Sequence, residues 1–217
     1  MRYITKYLLC FFVIVNFAGC LSFSTGHSEN SEEKSGDIPV GTIYYTGVNI
    51  WYEKPNKISS INYHKGTKLP IGTKVKIVGF GNRKIQFIQV DTSQTFTIVH
   101  HKKYTRIKLK ELFDRYFSEK RALAEGGCFH DVTKNEKENI KNGSIAFYMS
   151  KAAVVMAYGY PPSHKTPLLS NNVWYYWHSR FQEVIVHFKD NKLYKIERME
   201  PILPGMKRHE VESVSGE

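Results

Sequence analysis

The chain has 217 residues, with 31 Lys and Arg against 20 Asp and Glu, for a formal charge of +11. Hydrophobic residues make up 41% and aromatics 14%, enough apolar mass for a packed core, which excludes a wholly disordered chain. Three cysteines are too few for a disulfide-dense scaffold.

The N-terminus divides into three zones. Arg2 and Lys6 give a positive start, Leu8 to Val15 form an unbroken apolar run, and Ala18 and Gly19 stand immediately before Cys20. This is the layout of an export leader. The run is well short of the ~20 apolar residues a membrane-spanning helix needs, and no later stretch approaches that length without charges. A cysteine directly after two small residues resembles the lipobox of bacterial lipoproteins, with Phe17 where leucine is usual. That resemblance implies cleavage before Cys20 and lipid on its thiol, each buried methylene adding about 0.8 kcal/mol of anchoring. The plainer reading is an ordinary leader that ends near a cysteine. Leu21 is not the aspartate that retains such proteins at the inner membrane, so the same resemblance implies a periplasm-facing protein of the outer membrane. Cys10 then leaves with the leader, and Cys128 is left as a buried, inert thiol. Neither a cofactor nor a metal site is expected.

Residues 21–39 are rich in Ser, Glu and Gly and nearly free of large apolar groups, and read as a flexible tether. Loss of Arg2 and Lys6 with the leader leaves about +9. Outside the cytoplasm no nucleic-acid partner is expected; lipid headgroups, lipopolysaccharide or peptidoglycan carboxylates fit that charge. A merely solvated basic surface fits it too.

Residues 40–119 read as a β-rich domain. The runs 41–52, 73–80, 84–91 and 95–101 are β-rich and partly alternating, with turn signals at Lys54-Pro55-Asn56, Pro70-Ile71-Gly72, Gly79 to Asn82 and Asp91 to Ser93. A small antiparallel sheet or barrel is expected. The phrase Leu69 to Ile77 resembles the entry turn and strand of bacterial SH3-like domains. Over 108–118 the period changes: Leu109, Leu112, Phe113, Tyr116 and Phe117 share one helical face, which predicts a helix closing this domain.

Residues 120–132, with Gly126-Gly127, read as a linker, and 201–217 as a tail. Thr133 and Glu136 form a capping box, so a helix should run from there to a stop at Asn142-Gly143. A second helix is predicted from Ser150 to Gly159, where Pro161-Pro162 forbids continuation. Three strands follow over 173–180, 182–189 and 192–199, with Asp190-Asn191 as a tight hairpin turn. The expected class is α+β, an SH3-like β domain followed by an α-α-β-β-β layer at 133–200.

Within 133–197, Ile140 and Gly143, Met149-Ser150, Gly159-Tyr160-Pro161, Trp174-Tyr175 and Phe188 to Leu193 resemble the phrase of the SmpA/OmlA domain. This is the BamE-like domain of outer-membrane lipoproteins, and with its β-rich neighbour the chain resembles a family of proteobacterial lipoproteins. Tyr148 stands where that domain has glycine, and Asn191 replaces its hairpin glycine. The resemblance implies the α+β fold and a role in outer-membrane assembly or maintenance.

For chemistry, Cys128, His130 and Asp131 could pair a thiol with a base, but catalytic groups meet through the fold rather than by adjacency, and no signature surrounds them. The expectation is a protein that is not an enzyme. His100, His101, Lys102, Lys103 and Arg106 form a candidate anion-binding cluster, or plain solvated turn residues. Alternation on one strand sends Trp174 and Tyr176 to one face and Tyr175 and Trp177 to the other. With Arg180 and the loop residue Tyr160, these are the candidate partner-binding set, the partner being an envelope protein or peptidoglycan. Equally, the β domain could cover that face.

Overall fold

A computed structural model describes residues 38–120 and 131–198. Cys20, the tether up to residue 37, Cys128 and His130, and everything after residue 198 lie outside the described residues. The described chain is α+β, with three α-helices and sheets of six, three and two strands.

The largest sheet is built from β1 (Ile43–Thr46), β3 (Ile58–Ser59), β5 (Lys74–Gly81), β6 (Lys84–Gln89), β7 (Thr95–Val99) and β8 (Phe117–Ser118), in the order β3-β7-β6-β5-β1-β8. Period-2 alternation sends Val75, Ile77, Ile85 and Phe87 inward while Lys74, Lys76, Lys84 and Gln86 face out. Helix α1 (Leu109–Tyr116) lays its stripe on that inner face, with Leu112, Phe113 and Tyr116 buried and the Phe113 ring edge-on to Tyr44 at 5.0 Å. Phe117 ends the helix and turns into β8, antiparallel to β1. The β5–β6 turn falls at Asn82-Arg83, both at positive φ (48° and 59°), the backbone of a two-residue hairpin. Gly79 instead sits at a bulge, where a Cβ would come within 2.7 Å of Gln86 Oε1.

The run expected as one strand over 41–52 is two strands in different sheets. It breaks at Gly47–Asn49, after which β2 (Ile50–Tyr52) pairs with β4 (Thr67–Leu69). Neither β3 nor β4 has enough length or alternation to be visible in the sequence. The break has a tertiary cause. Asn49 is wholly buried; its Nδ2 donates to the carbonyls of Ile140 (2.7 Å) and Ala157 (3.0 Å), and its Oδ1 accepts from Ile71 N (2.9 Å). Its own N–H donates to Met156 O rather than to a neighbouring strand (3.0 Å).

Helix α2 (Lys134–Asn142) opens with the expected box: Thr133 Oγ1 accepts from Glu136 N, and Glu136 accepts from Thr133 N. It stops at Gly143 in the left-handed region (φ 68°), where a side chain would strike the Trp51 ring. Helix α3 (Lys151–Tyr158) starts at Ser150, whose Oγ accepts from Ala153 N, and ends at Gly159. Strands β9 (Val173–Trp177), β10 (Glu183–Lys189) and β11 (Lys192–Arg198) make an antiparallel sheet in the order β11-β10-β9. Asp190 and Asn191 both take positive φ in the last hairpin. The first of these strands ends at Trp177, three residues before the expected boundary.

Apart from Ile61, the buried hydrophobic side chains of the 40–119 and 133–198 segments belong to one cluster. The stretch read as two modules therefore shares a single core, sewn across the seam by Asn49.

Candidate functional site

Among the described residues, the three-stranded sheet has helices on one face only. There Trp174, Tyr176, Val184, Val186, Phe188 and Leu193 are buried, with Tyr158 and Lys151 of α3 against the Tyr176 and Trp174 rings. Trp174 Nε1 donates to Asn171 O, and the Tyr176 hydroxyl donates to Gly159 O. Trp174 (1% exposed) and Tyr176 (0%) are core residues with no surface to offer a partner, which corrects their place in the candidate set.

The opposite face presents Tyr175 and Trp177. Trp177 is largely sheathed: Tyr63 stacks on it at 5.9 Å, Tyr104 and His164 meet it edge-on at 5.6 and 5.2 Å, and its Nε1 donates to Glu183 Oε1 at 2.7 Å. The Lys165 ammonium pairs with Glu183 and lies 5.6 Å from the Tyr175 ring. The N-terminal segment thus covers one edge of this face, through Tyr63 and Tyr104, and the described residues leave the rest open.

Toward the open part, Tyr175 pairs with Ile185 on β10, and the half-exposed Tyr194 of β11 lies 6.1 Å from His187. Glu197 pairs with Lys195 (2.5 Å), and its Oε1 lies 3.0 Å from His187 Nε2. The Lys195 hydrogen bond holds the Glu197 carboxyl below its ordinary range. In the β9–β10 connection Arg180 and Phe181 are exposed, Phe181 at 61%. Arg180 is close enough to Tyr63 to oppose the rise that burial imposes on that phenol. Tyr160 lies elsewhere, packed against α1 with the Arg115 guanidinium 5.0 Å from its ring.

Behind Trp177 stands His64, in the same turn as Tyr63. Its N–H donates to Trp177 O (3.1 Å), its Nε2 to Tyr158 O (2.7 Å), and its ring lies 4.0 Å from Tyr158 and 5.3 Å from Tyr176. Nδ1 has no partner. Burial, with a smaller push from His178 and against the pull of the Tyr158 carbonyl, lowers this imidazole to about 4, so it is neutral at physiological pH.

The expected anion cluster is reorganised. His100 is buried, with Nε2 against Thr105 O at 2.9 Å. Burial and then neighbouring cations hold His100 below its ordinary pKa; burial, His100, Lys57 and Arg83 do the same for His101. Both imidazoles are neutral near pH 7, which leaves Lys102, Lys103 and Arg106 as the charged members. All three are exposed.

Sequence reasoning missed Tyr63, His64, Tyr104, Ile185 and Tyr194. The first three sit in irregular segments whose only signal was their residue type. Among the described residues no group of three or more His, Cys, Asp or Glu could hold a metal ion, and no helix is long and apolar enough to cross a membrane. No protein-family model, curated protein or solved structure matches the chain.

Proposed function

We propose that this chain is a cell-envelope lipoprotein, lipidated at Cys20 and facing the periplasm from the outer membrane. On this reading its folded part is a membrane-tethered, non-enzymatic module that binds an envelope protein. It combines an SH3-like β unit with an SmpA/OmlA-like α+β unit and serves outer-membrane assembly or maintenance. The leader and Cys20 support the address.

One observation carries the binding reading. A sheet with helices on one face displays Tyr175, Ile185 and Tyr194 across its three strands on the other, flanked by Lys165, Lys195 and Arg180. Amphipathic rings beside cations on a rigid sheet make a composition enriched at interface hot spots. The contact set is therefore Tyr175, Tyr194 and Arg180, with Trp177 as a buttress behind them.

Crosslinking in intact envelopes, followed by recovery of the lipoprotein, tests this with a Tyr175→Ser/Tyr194→Ser chain. A partner captured by the unaltered chain should be reduced at least about tenfold, as loss of two hot-spot rings implies. Equal capture by both chains would remove this face from the reading. Absence of acyl groups on Cys20, read by mass spectrometry, would remove the anchor.

A further inference from the structure

The six-stranded sheet has one strongly basic end. Arg83 forms the tip of the β5–β6 hairpin, and Lys84 pairs with Val99, where β7 leaves the sheet at that same end. His100 N–H donates to Arg83 O at 2.8 Å, which fixes the 100–106 connection beside the tip. Lys57, from the turn before β3, is close enough to act on His101.

Lys57, Arg83, Lys84, Lys102, Lys103 and Arg106 are all exposed, and none is in an ion pair among the described residues. Elsewhere Lys65, Lys110, Arg115, Lys165 and Lys195 each hold a carboxylate, while others such as Lys74, Lys76 and Lys189 are in no ion pair among the described residues; what marks this end is the convergence of six from three segments. Nearby acids point away. Glu53 is on Lys65, Asp91 follows β6 at the opposite end, and Glu119 lies beside Tyr44 at the other edge of the sheet. Six uncompensated cations from three chain segments repel one another unless an anionic surface neutralises them.

The chain enters the sheet partway along β5. Gly41 N–H donates to Ile77 O, and β1 then runs away from the hairpin tip, pairing Ile43 with Lys76 and Tyr45 with Lys74. Seventeen residues lie between Cys20 and Ile38, a contour of roughly 60 Å.

We propose that this basic end is the membrane-facing side of the protein, docking on the phosphate groups of anionic lipid headgroups beside the Cys20 anchor. Its orientation relative to the anchor rests on the lipoprotein reading; the headgroup contact does not. Lysine and arginine stems reach the headgroup layer while the sheet stays above it, and the Tyr104 ring under Lys103 (5.3 Å) adds an interfacial aromatic. The open face of the three-stranded sheet remains free for a protein.

The test is co-sedimentation of the full chain with phosphatidylcholine vesicles and with vesicles containing ~30% phosphatidylglycerol, at low and high salt. The apolar run of the leader contributes alike to both, and the charge of Arg2 and Lys6 is the same in every variant compared. Binding to the charged vesicles should be at least about tenfold stronger and that advantage lost in ~1 M salt. Lys84→Glu/Lys102→Glu/Lys103→Glu should abolish the preference, while Lys74→Glu/Lys76→Glu/Lys189→Glu, an equal charge change elsewhere, should keep it. If circular dichroism shows the first variant unfolded, the same three positions changed to Gln take its place. Equal binding to both vesicle types, or equal loss in both variants, overturns the proposal. The mass of the Cys20 peptide reports separately on the anchor.

Discussion

Two buried polar residues join the same pair of chain segments in different ways. Asn49 has a partner for both its donors and its acceptor, on Ile140, Ala157 and Ile71, and carries no charge at any pH. His64 lies a few strands' width of chain further on, with one ring nitrogen on Tyr158 O and the other unpartnered. A satisfied amide makes a joint that is indifferent to solution conditions. A half-satisfied imidazole, kept neutral by burial down to about pH 4, makes one that holds above a threshold pH. The seam contains both kinds.

Breaking the first joint should have the largest effect. Asn49→Ala strands the Ala157 carbonyl and the Ile71 N–H in a dry interior and leaves Ile140 O with Gly143 N–H alone, and should cost about 3–5 kcal/mol in denaturant unfolding. Asn49→Asp should be no milder, since it turns a carboxylate toward two carbonyl oxygens. A loss below about 1 kcal/mol for Asn49→Ala would mean the segments are held by apolar packing alone.

The second joint gives a pH signature. The folded His64 value, about 4, lies below the ordinary 6.5, so the unfolded chain takes the proton first. Its contribution is complete above pH ~6.5, declines as pH falls toward 4, and is gone below that, a loss on the order of 3 kcal/mol. His64→Phe should flatten the stability profile between those limits. Tyr158 O would keep a donor in that variant, because Asn62 Nδ2 also binds it. An unchanged profile would place the acid sensitivity on another group.

Legibility in the sequence followed the range of the interactions. Helix α2 was readable because its start is settled within four residues, by Thr133 and Glu136, and its stop by Gly143. The Asp190-Asn191 turn and the α1 stripe were equally local. The split at Gly47–Asn49 was not readable, since Asn49 takes its partners 91 and 108 positions away. For the site, alternation sorted Trp174 and Tyr176 from Tyr175 and Trp177 but could not say which pair is buried. That depends on α3 covering one face and Tyr63 and Tyr104 covering an edge of the other. The basic cluster was visible as composition. The burial of His100 and the addition of Lys57 and Arg83 needed the fold.

Glu136 sharpens the distinction between local and long-range ties, because it makes both. Beyond capping α2 it accepts from Ser150 N at 2.7 Å, binding the start of α3 to the start of α2. Burial raises this carboxyl, and the hydrogen bonds from Ser150 and Thr133 more than offset it, so its pKa is held below the usual range. Glu136→Gln should cost about 1–2 kcal/mol near neutral pH. A depressed carboxylate contributes above its unfolded value and loses that contribution as pH falls through the folded one. Its window therefore lies below 4.5, under most of the His64 window, and a stability titration of the two single variants should separate them.

The smallest effect should come from Tyr148. This bulky, exposed residue (79%) holds φ at 69° while its N–H donates to Leu193 O at 2.7 Å. The left-handed region costs a residue with a Cβ about 1 kcal/mol. Tyr148→Gly should relieve that cost against a partly opposing gain in unfolded-chain entropy, for a net stabilisation of about 0.5 kcal/mol. A destabilisation above about 1 kcal/mol would show that the exposed ring packs usefully. A stabilised chain would indicate that the strained ring is retained for contact with something outside the fold.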